Sequence, residues 1–189
     1  MSIALPYQQS LRLRTVMTVV GTAIAMAVAA NISMRLPNTP VPVTGQTVVV
    51  IAAAILLGRA RSTAAVTAYL TAGALGAPVF ANGMSTMAFA GPTAGYLLSF
   101  LPVAWLVGTL ARQSWAKSVP GTVGLAVLGH AVILALGSTT LALFVGASSM
   151  WTMGIAPFML GSLVKSLIVG LLACSFRSTL TGDCSYGSR

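Results

Sequence analysis

Apolar positions along the chain fall into long runs separated by short polar or Gly- and Pro-rich stretches. A polar opening, MSIALPYQQSLRLR, precedes a first run over residues 15–34. Further runs occupy 43–58, 62–76, 93–111, 119–145 and 157–177. About 20 apolar residues suffice to cross a hydrocarbon core as helix, so the pattern predicts an all-α integral membrane protein with six transmembrane helices. Between the runs, RLPNTPVPVTGQT carries Pro37, Pro40 and Pro42 and predicts an extended loop, because proline lacks an amide hydrogen and restrains the residue before it. Residues 77–92, APVFANGMSTMAFAGP, form a second loop, too hydrophobic to stand in water. It predicts a lid packed over a site.

One charged side chain interrupts the long runs: Lys165, near the middle of PFMLGSLVKSLIVGLLACSFR. A lysine near a bilayer centre costs about 2.5–3.5 kcal/mol on insertion scales, so it faces a protein interior or a wet cavity, or else snorkels to an interface or hydrogen-bonds a carbonyl in a helix break. On a helix Ser162, Lys165, Ser166 and Val169 share one face with Gly161 beside it, while Leu163, Leu167 and Leu171 fall on another. That predicts a polar, small-residue strip lining a cavity and a leucine face towards lipid or apolar neighbours. In the first run Gly21, Ala25 and Ala29 recur every four residues, as do Ala23 and Ala27. This spacing admits a closely approaching helix, either from a partner protein or from the same chain.

Composition fixes the class. Of 189 residues, 57% are hydrophobic and only 6% charged, with a mean hydropathy of +0.94. No soluble domain of this size covers its surface with so few charges. Ten Lys and Arg stand against one acid, Asp183. With six crossings, Arg12, Arg14, Arg59, Arg61, Arg112, Lys117, Arg177 and Arg189 fall on the side of the termini and only Arg35 on the other, a positive-inside pattern. Both termini are therefore expected in the cytoplasm, and the loops 35–45, 77–92 and 146–156 outside. The basic excess records topology, and no nucleic acid is expected as a partner. Residues 1–14 are expected as a cytoplasmic segment, 15–177 as the membrane domain and 178–189 as a disordered cytoplasmic tail. The first run also has the ingredients of a cleaved signal peptide, although the later helices need it as a partner.

The predicted spans hold no Asp or Glu, one histidine and no cysteine pair at metal-ligand spacing, which argues against an enzyme and against a metal or cofactor. His130 is expected as a satisfied interior residue. The string GSLVKS lacks the second glycine and the strand of a phosphate loop, so ATP is not bound by that device. Neither cysteine, Cys174 or Cys184, is expected in a structural disulfide. What remains is a buried cation suited to a ligand with a carboxylate or a strong carbonyl acceptor, with Phe80, Phe89, Tyr96 and Trp151 to cover its carbon skeleton.

Four stretches, PNTPVPVTGQT, AYLTAGALGAPVFANG, GPTAGYLLSF and GSLVKSLIVGLLA, resemble in order and position the BioY family, the biotin-binding S components of energy-coupling factor transporters. The resemblance covers nearly the whole chain. It implies a six-helix S-component fold, N-in and C-in, in the bacterial inner membrane, that captures biotin from outside and works with a transmembrane T component and two ABC-type ATPases. Lys165 matches the family's ligand-binding lysine, and Asn82 lies where the third loop supplies a polar contact. The surface of Gly21, Ala23, Ala25, Ala27 and Ala29 looks like the one that docks on the T component. Membrane lipid and possible homo-oligomers complete the expected partners. One departure matters: the family pattern GDxxK has Ser162 here in place of the acid, and a hydroxyl accepts more weakly than a carboxylate. Ser162 therefore either keeps one contact to biotin or marks a related vitamin or precursor as ligand. A structural or assembly membrane protein would explain the helices without a ligand, but not Lys165.

Overall fold

The structure, a computed structural model, describes residues 4–181. Its helices are α1 (Ala4–Asn31), α2 (Gln46–Ala74), α3 (Ala94–Leu110), α4 (Val119–Val145) and α5 (Ala156–Thr181). A short antiparallel hairpin, β1 (Ser33–Met34) with β2 (Val43–Thr44), pairs Ser33 with Thr44 and carries the proline-rich loop at its tip. Four helical stretches are long and apolar enough to cross a membrane: Leu11–Asn31, Gln46–Ala74, Val119–Val145 and Trp151–Thr179; Ala94–Leu110 is apolar but shorter. The chain is thus built as a multi-pass membrane protein.

The expectation of six separate helices meets five, because the predicted runs 43–58 and 62–76 join into α2. The reason lies at Gly58, which interrupts α2 with φ +74° and ψ 176°, a region that only glycine enters without strain. The chain turns back there. Gln46 and Tyr69 stand 23 positions apart, a distance of about 35 Å in a straight helix, yet the Gln46 amide donates to the Tyr69 hydroxyl. The two halves of α2 therefore run side by side in opposite directions.

This bent helix is the hub of the bundle and packs against each of the other four. Its inner face supplies Val50, Ile51, Ala54, Ile55, Val66 and Tyr69 to the core, joined by Val103 and Val107 of α3 and Leu125 and Ile133 of α4. The Gly58 bend is held by α5. Arg177 donates to the carbonyls of Ile55 (2.6 Å), Ala111 (3.0 Å) and Ala116 (3.1 Å). Each acceptor lies in or beyond the last turn of a helical segment, where carbonyls lose their regular partners. On the second half, Ser62 Oγ donates to the Gly58 carbonyl at 2.8 Å.

α1 begins at Ala4, so most of the polar opening is helical, and α5 runs to Thr181, so the first residues of the expected disordered tail are helix. Residues 1–3 and 182–189, with Asp183, Cys184 and Arg189, lie outside the described residues. Cys174 is disulfide-bonded, contrary to expectation. In the first helix Ala29 is buried against the backbone of Gly45, and Ala23 and Ala27 pack on the core of their own chain. Only Gly21 and Ala25 of that set are exposed.

Candidate ligand-binding site

The lid begins where α2 ends. Phe80 is 1% exposed, its ring edge-on to Tyr69 (5.2 Å between centroids) and to Phe89 (5.3 Å). It fits because Gly73 leaves the room: a Cβ there would stand 2.1 Å from the ring. Tyr69 donates its hydroxyl to the Val79 carbonyl at 3.0 Å, and Thr86 Oγ1 donates to the Ala74 carbonyl at 3.1 Å. The loop 77–92 is thereby fastened to α2 at Val79 and at Thr86. Asn82, at φ +58°, is the one described non-glycine residue with positive φ, a conformation asparagine tolerates better than most.

Beneath the lid lies a cavity of about 480 Å³. Three of its walls come from the loop 35–44, from the lid residues Phe80, Asn82 and Met84, and from Tyr96 and Phe100 of α3. His130 and Ile133 of α4 and Phe158, Ser162 and Lys165 of α5 close the rest. Of the predicted site, Lys165, Asn82, Ser162, Tyr96 and Phe80 are brought together here. Trp151 and Phe89 are not: both lie outside the lining, Trp151 being 56% exposed and Phe89 packing edge-on to Phe80. The position of Trp151 follows from a π-helical turn, Trp151–Ile155, that leads into α5. The inward residue of that turn is Gly154, whose carbonyl accepts from the Tyr96 hydroxyl at 2.8 Å.

Lys165 is half-buried and its Nζ donates to the Thr44 carbonyl at 2.6 Å, across 121 positions of sequence. The same α5 face buries Ser166 and Val169, while Leu163, Leu167 and Leu171 point outward, as the helical spacing predicts. From Thr44 a polar chain continues inward. Thr44 Oγ1 donates to Gln46 Oε1 at 3.0 Å, and Gln46 in turn donates to Tyr69. Lysine, first loop and lid root thus share one line of hydrogen bonds. Sequence reasoning missed Thr44 and Gln46, although both stand in the stretch PNTPVPVTGQT.

His130 is committed elsewhere. Nδ1 lies 3.0 Å from the Ala126 carbonyl and 2.9 Å from Ser166 Oγ, and Nε2 lies 3.2 Å from Thr47 Oγ1. Ser166 also donates to the Ser162 carbonyl at 2.7 Å. A proton on Nδ1, with Thr47 donating to Nε2, satisfies every group and makes His130 a fixed part of the wall. The described residues contain no cluster able to hold a metal ion. The cavity can therefore bind a small, largely apolar molecule through a few donors, with an ammonium as the strongest.

The model of the BioY family matches residues 6–182. A biotin transporter BioY of Thermotoga maritima is 34% identical over 142 residues, spanning 74% of this chain and 83% of that protein. Biotin transporter BioY2 of Lactococcus lactis is 31% identical over 168 residues, 87% of this chain and 92% of the relative. The biotin transporter BioY of Rhodobacter capsulatus is 34% identical over 170 residues, 82% and 90% of the two chains. In fold the chain matches the crystal structure of the S-component for biotin from an ECF-type ABC transporter with a TM-score of 0.78, covering 89% of this chain and 93% of that one at 19% identity. At that identity the likeness establishes the S-component fold. These relatives are transporters, not enzymes, and with the family model spanning nearly its whole length the chain belongs to the BioY family.

Proposed function

We propose that this protein is the substrate-binding membrane subunit of a biotin uptake system. The observation that carries the reading is Lys165, a cation set within the bundle on the wall of an aromatic cavity roofed by a lid. A neutral cyclic urea suits this wall: its carbonyl accepts from the ammonium, its N–H groups meet the Ser162 hydroxyl or the Asn82 amide, and its sulfur ring lies among Tyr96, Phe80 and Phe158. Similarity to biotin transporters along most of the chain supports the same ligand.

The turn at Gly58 supports six crossings, with the halves of α2 as the second and third. The proline-rich loop and the lid meet at the cavity, and residues 37–40 also share a small groove with Thr152 and Met153. The basic stretches around Arg59, Arg112 and Arg177 gather at the Gly58 bend instead. This segregation supports the assignment of the cavity to the outer side and of both termini to the cytoplasm of a bacterial inner membrane. The chain carries no phosphate loop, so energy for release inward comes from partners, a T component and two ATPases. Gly21 and Ala25, exposed on α1, are the part of the small-residue surface left to face a T component.

Ser162 favours one second reading, a related vitamin or precursor in place of biotin. Equilibrium binding of labelled biotin to the detergent-purified chain, beside the Ser162→Asp variant, separates the two. Tight binding little changed by Asp supports biotin. Weak binding rescued by Asp points to the other ligand.

A further inference from the structure

The cavity has a second cation. Arg35 follows directly after β1 and lines the same space as Lys165, but it is exposed where Lys165 is half-buried. The two are placed differently. Lys165 sits nine residues into α5, about 14 Å along its axis, and already donates to Thr44. Among the described residues no hydrogen bond, ion pair or ring contact engages the Arg35 guanidinium. The chain's one acidic side chain is Asp183, outside the described residues.

Resting on the biotin reading, we infer that Arg35 takes the ligand's carboxylate at the mouth of the cavity and so fixes its orientation, with the neutral urea end inward at Lys165. Desolvating a carboxylate costs far more than desolvating a urea, so the charged end belongs where water still reaches it. A guanidinium presents paired N–H donors matched to the two carboxylate oxygens, whereas an ammonium is a point charge that serves a single carbonyl oxygen equally well. The same lining includes Leu36, Val41, Ile133 and Leu134, apolar side chains that suit the hydrocarbon tail joining the two ends. Arg35 is then a specificity residue: it selects ligands with an anionic tail over those with the same ring and a neutral one.

The test is competition binding of biotin and biotinamide to the purified full-length chain and to its Arg35→Gln, Arg35→Lys and Lys165→Met variants. The wild type should prefer biotin about 10-fold, the size expected of a partly hydrated charge-assisted bond. Arg35→Gln should lose that preference through weaker biotin binding while holding biotinamide within about twofold, which also shows that the variant is folded. Arg35→Lys should keep part of the preference, and salt should weaken biotin more than the amide. Lys165→Met should weaken both ligands alike. A preference that survives Arg35→Gln, or one abolished by Lys165→Met instead, overturns the orientation while leaving the biotin reading intact. Failure of the wild type to bind either compound overturns the biotin reading, and the orientation falls with it.

Discussion

Lys165 and Thr44 are joined by a 2.6 Å bond from the ammonium to a backbone carbonyl, so the cation of the cavity also anchors the proline-rich loop that forms one wall. Replacing Lys165 by alanine removes both functions. Biotin affinity should fall by about 100-fold, the cost of a lost charge-assisted bond at a sheltered site. Equilibrium binding to the purified variant decides it, and near wild-type affinity would sink the site.

Gln46 is buried at 3% exposure, between Thr44 and Tyr69. In a Gln46→Leu variant, Thr44 Oγ1 loses its acceptor and Tyr69 its donor. That should cost about 1–3 kcal/mol, seen as a lower unfolding midpoint in detergent. Because the line reaches the lid root, limited proteolysis within 77–92 should also quicken. Unchanged cleavage would show that the lid does not depend on this line.

A methyl group at Gly73 would collide with the Phe80 ring, whereas one at Gly124 meets nothing within 4 Å. Gly73→Ala should destabilise by about 1–3 kcal/mol and weaken ligand binding as the lid is pushed off α2. Gly124→Ala, on the exposed side of α4, should be neutral or stabilising by up to about 1 kcal/mol. Equal midpoints for the two would refute this account of the lid.

Gly58 holds φ +74° and has the Arg112 guanidinium 3.0 Å from where a Cβ would stand. Gly58→Ala should cost about 1–3 kcal/mol from backbone strain alone. Thermal unfolding in detergent measures it, and a shift below about 0.5 kcal/mol would mean that the bend relaxes easily.

Arg177 serves three carbonyls on separate segments. Arg177→Lys keeps the charge but loses the fork, leaving at least one carbonyl unpaired for about 1–3 kcal/mol. A lysine variant as stable as wild type would show that charge alone suffices there.

The sequence disclosed what depends on local periodicity. The inward face of Ser162, Lys165, Ser166 and Val169 and the outward leucines are a matter of helical spacing, but of that face only Ser162 and Lys165 line the cavity, while Ser166 and Val169 pack inside the bundle. The lid was legible because a Gly- and Pro-punctuated loop so apolar must be covered. Thr44 and Gln46 were not, since their roles arise only when α5 and Tyr69 come to meet them across the fold. Trp151 misled because an aromatic residue near a cavity reads as lining until the π-helical turn sets its direction. The joined α2 was hidden in a single glycine, whose dihedral angles no hydropathy pattern contains.

Two cations brace α5 to the first half of α2: Lys165 reaches Thr44 just before that half begins, and Arg177 reaches Ile55 near its end. The attachments are spaced almost equally along both segments, so the two lie parallel like rails joined by two rungs. Sliding one rail by a helical turn would break both rungs at once. Entry to the cavity is therefore left to the parts outside this frame, the loops that rest on it, and a ligand that draws Lys165 away from Thr44 releases the rung nearest the mouth while the one at the bend holds.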